Sequence, residues 1–357
     1  MKNNINQYLS KVAKNTIPYQ WEENLLEKSL RFDTNTLPNL PKSLPLFLDR
    51  MKKRCPINEY SDPNYTRLKQ LIAKYETVTS DMITITNSGD EAIDILAKSF
   101  LDPGDYFITT PPTYEMFSIQ CEINKGVSLP SPLTQNAWTI NEKEIIEYSK
   151  NLKVKLIFLC NPNNPTASII PPEIIERVVK NSQAMVIIDE VYREFYGKTS
   201  LSLLQKYDNL VILRSFSKFA AIAGARIGYL IANSSLSQKF DGIRFPMGVS
   251  FLSSKLAETI LEKDKNLIKK QIKIIIKERV RLAKELIKLG FYVYPSFANF
   301  LLVKIDNASR LCRQLKQKNI ILRDRSSKKY LENCIRITIR SSWENNQLLK
   351  EIKAILI

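Results

Sequence analysis

Lys218 and Arg226 are the two residues whose types and spacing most directly suggest chemistry. The lysine ends the segment Ser215-Phe216-Ser217-Lys218, directly after the apolar run 210–213, and the arginine follows eight residues later. A strand that ends by presenting an amine, with a guanidinium close behind, suits the binding of an aldehyde cofactor and its phosphate. Because the chain contains no histidine, acid–base work near neutral pH falls to another group, and the lysine amine is the obvious candidate.

The composition predicts a globular protein with two domains. Its 357 residues are enough for two cores, and 44% of them are hydrophobic. No apolar stretch is long enough to cross a bilayer, and the polar residues 1–7 lack the apolar core of a signal peptide. We therefore expect a cytoplasmic protein without a membrane partner.

Metal sites and disulfides are not expected. The chain has no histidine, and its five cysteines are odd in number and lie far apart without a CxxC pair. The cysteines are Cys55, Cys121, Cys160, Cys312 and Cys334. The absence of histidine also excludes Ser-His-Asp and Cys-His mechanisms.

The net charge of +17 admits two interpretations. A basic surface could bind nucleic acid, but residues 265–277 combine helical periodicity, an apolar stripe and a basic face, which is typical of a solvated helix. We favour the solvated face and expect no nucleic-acid partner. The positive field would still attract a phosphorylated substrate and cofactor.

Five short apolar runs between residues 64 and 245 alternate with helical patterns. The runs span residues 82–85, 106–109, 156–159, 185–188 and 210–213. Nearly continuous apolar runs separated by helices predict an α/β fold with a mostly parallel sheet covered on both faces. Polar residues follow each run at once, so they should gather at the carboxyl edge of the sheet, where open α/β sheets bind ligands.

Three segments of the chain differ in pattern. Residues 1–45 are punctuated by prolines and predict an N-terminal arm, residues 46–245 predict the large sheet domain, and residues 246–357 predict a smaller α+β domain. The last segment includes a long basic helix through the 260s to 280s that stops near Gly290.

Three motifs in a fixed order resemble the class I and II aminotransferases, which are pyridoxal phosphate (PLP) enzymes of fold type I. The motifs are Asn161-Pro162-Asn163-Asn164-Pro165-Thr166, Asp189-Glu190-Val191-Tyr192 and the Lys218 segment. The resemblance runs from about Asn35 to the C-terminus. It implies an α/β PLP-dependent transferase of fold type I, with a mostly parallel large domain and a smaller α+β C-terminal domain.

The resemblance implies a division of work on the cofactor. Lys218 would condense with the PLP aldehyde and later move the proton between the substrate α-carbon and the cofactor. Asp189 would pair with the pyridine nitrogen and keep it protonated. Tyr192 and Asn164 would hydrogen-bond the ring O3′, and Tyr114 would stack on the ring face.

The resemblance also implies a site for the cofactor phosphate. Ser215, Ser217 and Arg226 would supply hydroxyls and a guanidinium. The main chain of Ser88-Gly89-Asp90 would add amides, because we predict a helix from about Glu91. Asp90 itself is expected to cap that helix rather than contact the phosphate.

Tyr60, in Tyr60-Ser61-Asp62-Pro63-Asn64-Tyr65, matches a tyrosine that reaches the cofactor phosphate from the neighbouring subunit in this family. The resemblance therefore implies a homodimer with a shared active site.

The substrate end is most similar to the histidinol-phosphate aminotransferases. The segments 321–326 and 331–339 carry this likeness, as do residues 60–65, 111–114 and 156–166. The resemblance implies that Arg323 and Arg336 bind the substrate phosphate and the carboxylate of glutamate, and it adds Asn35 to the substrate contacts. The amino donor would be histidinol phosphate, and 2-oxoglutarate would be the 2-oxo acid acceptor.

Alternatives to this function stay open at this point. Aromatic amino-acid aminotransferases and threonine-phosphate decarboxylases share the same core residues. A regulator with an aminotransferase-like ligand-binding domain usually carries a DNA-binding module in front of it. About 35 residues precede the match here, which are too few for a winged helix.

Four positions depart from the family's pattern. Ala167 and Ala225 stand where the family has glycine, Ser88-Gly89 reverses the family's Gly-Ser, and Arg340 replaces a glycine after the last strand motif. Each change removes or moves a glycine, so we expect altered local backbone geometry. Arg340 could also add a cation near the substrate.

Overall fold

Three sheets organise the part of the chain that the structure describes. The computed structural model describes residues 8–15, 29–134 and 137–356, so the polar residues 1–7 and much of the predicted arm at 1–45 lie outside the described residues. Within these ranges the strands are β1 (Leu30–Arg31), β2 (Ile83–Thr86), β3 (Tyr106–Thr109), β4 (Val127–Pro130), β5 (Val154–Cys160), β6 (Met185–Asp189), β7 (Leu210–Ser215), β8 (Gly228–Ile231), β9 (Tyr292–Val293), β10 (Phe300–Lys304), β11 (Ile320–Ile321), β12 (Arg323–Asp324) and β13 (Cys334–Thr338). The α-helices are α1 (Lys11–Asn15), α2 (Leu44–Lys53), α3 (Thr66–Glu76), α4 (Ser88–Phe100), α5 (Met116–Ile123), α6 (Glu142–Ser149), α7 (Pro172–Asn181), α8 (Arg193–Tyr196), α9 (Phe216–Phe219), α10 (Ser234–Ile243), α11 (Phe251–Lys263), α12 (Lys265–Lys288), α13 (Ala308–Gln317) and α14 (Ser342–Leu356). Among the described helices, none combines the length and the apolar character needed to cross a membrane.

The largest sheet has the strand order β2-β8-β7-β6-β5-β3-β4. β8 runs antiparallel to both of its neighbours, and the remaining pairs in this sheet are parallel. Five of its strands match the predicted apolar runs, which confirms the mostly parallel α/β fold. The five predicted runs do not include β4, a largely exposed edge strand, or β8, a buried apolar strand of the same length as β2 and β3.

The side chains of the central strands point alternately to the two faces of this sheet, and the buried apolar residues form one cluster on each face. In β5, Ile157 and Leu159 belong to one buried cluster, whereas Leu156 and Phe158 belong to the other. Successive side chains of a strand point to opposite faces, so a strand covered on both sides needs apolar residues at every position. Polar side chains are consequently confined to the ends of these strands.

A second, antiparallel sheet in the last third of the chain has the strand order β12-β13-β10-β9. The predicted basic helix is α12, whose apolar stripe is buried at Ile268, Ile272 and Ile275. The chain turns after it at Gly290, where φ is 88°. This arrangement agrees with the predicted α+β class of the C-terminal region, while the boundaries at residues 45 and 245 stay predictions.

The first described strand joins distant parts of the sequence. β1 pairs in parallel with β11, and the Thr338 amide donates to the Phe32 carbonyl at 2.8 Å. The Asn35 amide donates to the Thr338 hydroxyl at 2.9 Å. These bonds fix residues 32–35 beside β13.

Candidate active site

A cavity of about 730 Å³ opens at the carboxyl ends of the strands of the large sheet. Fourteen of the fifteen residues that the sequence predicts for the site line this cavity, and Tyr60 does not. The fourteen are Asn35, Ser88, Gly89, Asp90, Tyr114, Asn164, Asp189, Tyr192, Ser215, Ser217, Lys218, Arg226, Arg323 and Arg336. The fold thus brings together residues that are spread over about 300 positions of the chain.

Lys218 lies in the single turn of α9, directly after β7. Ser215 begins this turn, because its hydroxyl oxygen accepts a hydrogen bond from the Ser217 amide at 3.1 Å. The Lys218 Nζ donates to the Thr34 carbonyl at 3.0 Å. Burial, with smaller contributions from the charges of Arg336 and Arg226, lowers the pKa of the Lys218 amine to about 7. The group is therefore suited to act as a nucleophile or base at neutral pH.

Asp189 is the last residue of β6, and its carboxyl group is buried. One carboxyl oxygen accepts from the Val191 amide at 2.9 Å, and the other lies 3.7 Å from the Cys160 thiol. Burial raises the pKa of the Asp189 carboxyl to about 7. A positively charged partner in the cavity would stabilise the ionised form of this buried carboxyl group.

Tyr192 and Asn164 lie on the same wall as Arg336. The Tyr192 hydroxyl accepts from the Asn35 side-chain amide at 3.0 Å, and the Asn164 side-chain oxygen accepts from Arg336 at 2.7 Å. Burial raises the pKa of the Tyr192 hydroxyl above its ordinary value, so this group stays protonated and can donate to a ligand.

The segment that begins α4 forms a cradle with Arg226. The Arg226 guanidinium donates to the Ser88 hydroxyl at 2.8 Å and to the Asp90 carboxylate at 2.7 Å. Ser88 has a φ of 75°, a left-handed conformation that favours glycine, which is the residue that the family has there. Main-chain amides at a helix start, hydroxyls and a guanidinium are groups that can together bind an anion.

Two expectations about this segment are wrong. The helix begins at Ser88 rather than near Glu91, and Asp90 therefore lies inside the first turn instead of capping it. The Asp90 carboxylate accepts hydrogen bonds from the Tyr114 hydroxyl at 2.7 Å and from Arg226. Local sequence shows the potential cap but not these two partners, which come from distant positions. Whether Tyr114 also stacks on a cofactor ring stays a prediction.

Gly228, at the start of β8, supports the cradle from behind and was not among the nominated residues. A Cβ at this position would lie 2.6 Å from the carbonyl carbon of Ser88 and 2.9 Å from the Gly89 nitrogen. Only a glycine permits the two backbones to approach so closely. The glycine two residues after Arg226 is the signal that could have indicated this role.

Arginines dominate the wall formed by the second sheet. Arg323 and Arg336 lie on adjacent strands and are directly paired in the antiparallel β12–β13 register. Arg325 also lines the cavity, together with its ion-pair partner Glu115 at 3.0 Å. Sequence reasoning missed both, although strand alternation from Arg323 could have found Arg325.

Arg340 does not line the cavity, so the expectation that it adds a cation near the substrate is wrong. Its guanidinium donates to the Glu344 carboxylate at 2.6 and 2.9 Å, one turn further along the start of α14. The nearby carboxylate neutralises the charge of Arg340, and Arg340 does not have the positive φ that favours glycine.

Ala167 and Ala225 are the two other departures from the family's pattern. Ala167 is buried with a φ of 57°, a conformation that explains the family's glycine there. Ala225 ends the short 3-10 helix Ala223–Ala225 that precedes Arg226.

Tyr60 is 88% exposed and lines a separate cavity of about 140 Å³ with Ser61 and Asp62.

Comparison with known proteins gives consistent relatives over nearly the whole chain. The family model "Aminotransferase class I and II" matches residues 23–355. A histidinol-phosphate aminotransferase of Caldanaerobacter subterraneus subsp. tengcongensis is 36% identical over 328 residues, which cover 91% of this chain and 93% of that protein. A histidinol-phosphate aminotransferase of Pyrococcus furiosus is 35% identical, with 91% of each chain covered.

Solved structures give the same picture of the fold. The crystal structure of the histidinol-phosphate aminotransferase from Clostridium acetobutylicum is 27% identical with a TM-score of 0.83, covering 92% of this chain and 99% of that chain. The histidinol-phosphate aminotransferase from Sinorhizobium meliloti, solved in complex with pyridoxal-5′-phosphate, is 22% identical with a TM-score of 0.88, covering 98% and 97%. The second likeness supports the fold alone.

Proposed function

The chain belongs to the class I and II aminotransferase family, and from that premise we propose that it uses PLP to transfer an amino group from histidinol phosphate to 2-oxoglutarate. The observation that carries this proposal is the presence, in one cavity, of two separate groups of side chains that could each bind an anion. One is the cradle of Ser88 and Arg226, and the other is the pair Arg323 and Arg336. A phosphorylated substrate needs an anion site in addition to the one that holds the cofactor phosphate.

The residues of the cavity fit the proposed cofactor. The cradle at Ser88 is closed from behind by Gly228, where any side chain would displace the main chain that offers its amides. The buried Asp189 carboxyl accepts only from the Val191 amide and the Cys160 thiol among the described residues, and a protonated pyridine nitrogen would supply the missing cation. When bound, PLP supplies an electron sink that stabilises the negative charge developed at the substrate α-carbon.

We assign the proton transfer at the substrate α-carbon to Lys218 Nζ. A lysine in water is almost fully protonated at pH 7, whereas a pKa near 7 leaves about half of this amine neutral. A neutral amine can attack a carbonyl carbon and accept a proton, so the same group can hold the cofactor and act as the base.

Arg336 is proposed to bind an anionic group of the substrate, with Arg323 and Asn35 beside it. Asn164 and the Asp33 carbonyl orient its guanidinium, while its Nε has no hydrogen bond among the described residues. Burial lowers the pKa of Arg336 to about 10, because the cavity wall withholds water from a charge that lacks an anionic partner. A carboxylate or phosphate would restore that interaction. Tyr192 and Asn164 are proposed to hydrogen-bond the O3′ of the cofactor.

We also propose that the enzyme is a cytoplasmic homodimer in which Tyr60 reaches the cofactor phosphate of the neighbouring subunit. Tyr60 is exposed and does not line the cavity that contains Lys218 in its own subunit, which is consistent with this proposal. Analytical ultracentrifugation would measure the oligomeric state. Mixed dimers of a Tyr60→Phe chain and a Lys218→Ala chain would test whether one subunit completes the other's site.

The proposed function is tested by a half-reaction. The holoenzyme is mixed with histidinol phosphate, phenylalanine or threonine phosphate without an acceptor, and the absorbance of the cofactor is followed. Conversion by histidinol phosphate at least tenfold faster than by phenylalanine supports the proposal; the reverse order would assign the enzyme to aromatic amino acids. Release of carbon dioxide from threonine phosphate would instead indicate a decarboxylase.

A further inference from the structure

Three arginines share one face of the second sheet at the cavity. Arg323 and Arg336 are directly opposite each other, and Arg325 lies two residues beyond Arg323, on the same face. The Arg325 amide donates to the Cys334 carbonyl at 2.9 Å, which continues the strand ladder by one residue. Like charges at opposed positions destabilise a sheet unless an anion lies among them.

Two carboxylates next to these arginines have different partners. Asp33 forms a two-pronged ion pair with Arg31, with both contacts at 2.7 Å, so its charge is already neutralised. Glu115 forms ion pairs with Arg325 and with Lys328, each at 3.0 Å. Glu115 is thus the anion that the three arginines hold, through its ion pair with Arg325.

Exposure differs sharply within this ion-pair group. The Arg325 side chain is 9% exposed, whereas those of Glu115 and Lys328 are 36% and 49% exposed. Burial acts to raise the pKa of Glu115, but Arg325 and Lys328 outweigh it and keep the pKa below its ordinary value. A fixed, buried cation therefore faces a carboxylate that can turn towards solvent and keep Lys328 as its partner.

We propose that Arg325 is a specificity-determining residue for the phosphate of the substrate, and that Glu115 is the resident anion which this phosphate displaces. The inference rests on the proposed function and names the residue that selects a doubly charged group. A phosphate carries more charge and more acceptor oxygens than a carboxylate, so it can take over a buried arginine from Glu115. An uncharged aromatic side chain cannot, and it would leave the ion pair intact.

The Glu115–Arg325 ion pair could instead serve only to hold the start of α5 against the segment after β12, and a different result would then be expected. Removal of either partner would then lose the same contact and have the same sign of effect. If Glu115 competes with the substrate phosphate, its removal strengthens anion binding, whereas removal of Arg325 weakens it. The two substitutions therefore separate the two roles.

The test uses holoenzyme, in which the cofactor phosphate already fills the Ser88 cradle and added inorganic phosphate reports on the second site. Calorimetry measures the Kd of inorganic phosphate for wild type, Arg325→Gln, Glu115→Gln and the double variant. Steady-state assays give KM and kcat for histidinol phosphate and phenylalanine. Arg177→Gln, which removes a surface ion pair with Glu142, is the matched control.

We expect Arg325→Gln to raise the Kd of phosphate and the KM of histidinol phosphate roughly 10- to 100-fold, with kcat and the KM of phenylalanine little changed. Glu115→Gln should lower the phosphate Kd by roughly 3- to 10-fold. The double variant should resemble Arg325→Gln, and the control should match wild type.

Weaker phosphate binding in both single variants, or an unchanged Kd in Arg325→Gln, overturns the inference. Should Arg325→Gln fail to fold, Glu115→Gln decides alone, and the absence of tighter phosphate binding refutes it. If the expected shifts in phosphate Kd occur but wild type does not convert histidinol phosphate, the proposed substrate is wrong and Arg325 selects another phosphomonoester.

Discussion

Gly228 lies directly behind Ser88, so that a Cβ on the glycine would stand 2.6 Å from the serine carbonyl carbon. We expect Gly228→Ala to push the start of α4 out of place. The substitution should weaken PLP binding at least roughly tenfold and destabilise the protein by about 1–3 kcal/mol. Fluorescence titration of the cofactor and thermal unfolding of the cofactor-free protein measure the two effects. Gly242→Ala, in α10 with no atom within 4 Å of the added carbon, should leave cofactor affinity unchanged.

The lowered pKa of Lys218 predicts how the stability of the cofactor-free protein depends on pH. Between pH 7 and about 10.4 the unfolded chain binds more protons at this lysine than the folded chain does, so the stability of the wild type rises with pH. Lys218→Met should therefore be more stable than wild type at pH 7, by on the order of 3 kcal/mol, and the difference should shrink towards pH 10. Urea unfolding at both pH values measures this.

The comparison with Lys180→Met controls for the loss of a lysine as such. Lys180 is exposed, so its substitution should change stability equally at both pH values. A Lys218→Met difference that stays constant from pH 7 to 10 would show that the amine is protonated in the folded state throughout.

Asp189 is predicted to act through its negative charge rather than its shape. Asp189→Asn keeps the size and the hydrogen bond from the Val191 amide but cannot pair with a protonated ring nitrogen. We expect kcat to fall about 100-fold while PLP still binds in a 1:1 ratio to the chain. Asp94→Asn, in α4 and outside the cavity, changes a half-buried aspartate that pairs with Lys98 and should retain wild-type kcat. A fully active Asp189→Asn holoenzyme would contradict the assignment.

Arg340 should matter for stability but not for substrate binding. Its guanidinium is committed to Glu344 and lies outside the cavity, so Arg340→Gln should change the KM of either substrate less than about twofold and cost about 1 kcal/mol of stability. Arg336→Gln, the matched substitution inside the cavity, should raise KM at least roughly tenfold. An equal rise in KM for both variants would show that Arg340 also takes part in substrate binding.

The sequence predicted well what depends on periodicity and order along the chain. Continuous apolar runs located the central strands, because a strand buried on both faces needs them, and the residues after each run assembled at one cavity. The edge strand β4 escaped notice because it is exposed and lacks that pattern, whereas β8 has the pattern and its apolar run, Gly228–Ile231, was overlooked. Asp90 was misread since its partners Tyr114 and Arg226 lie 24 and 136 residues away. Contacts between residues so far apart in the sequence are set by tertiary packing, which local sequence patterns do not reveal.

The bonds between residues 32–35 and β13 have a consequence for the order in which this chain is made and folded. Asn35 leaves the ribosome early, but its partner Thr338 is synthesised 303 residues later. At typical rates of elongation, about 15 to 60 s separate the two events. We expect the large sheet to form during that interval, so the wall beside Lys218 is the last part of the cavity to close. A nascent chain arrested before β13 would then hold the lysine without the structure that shields it from water.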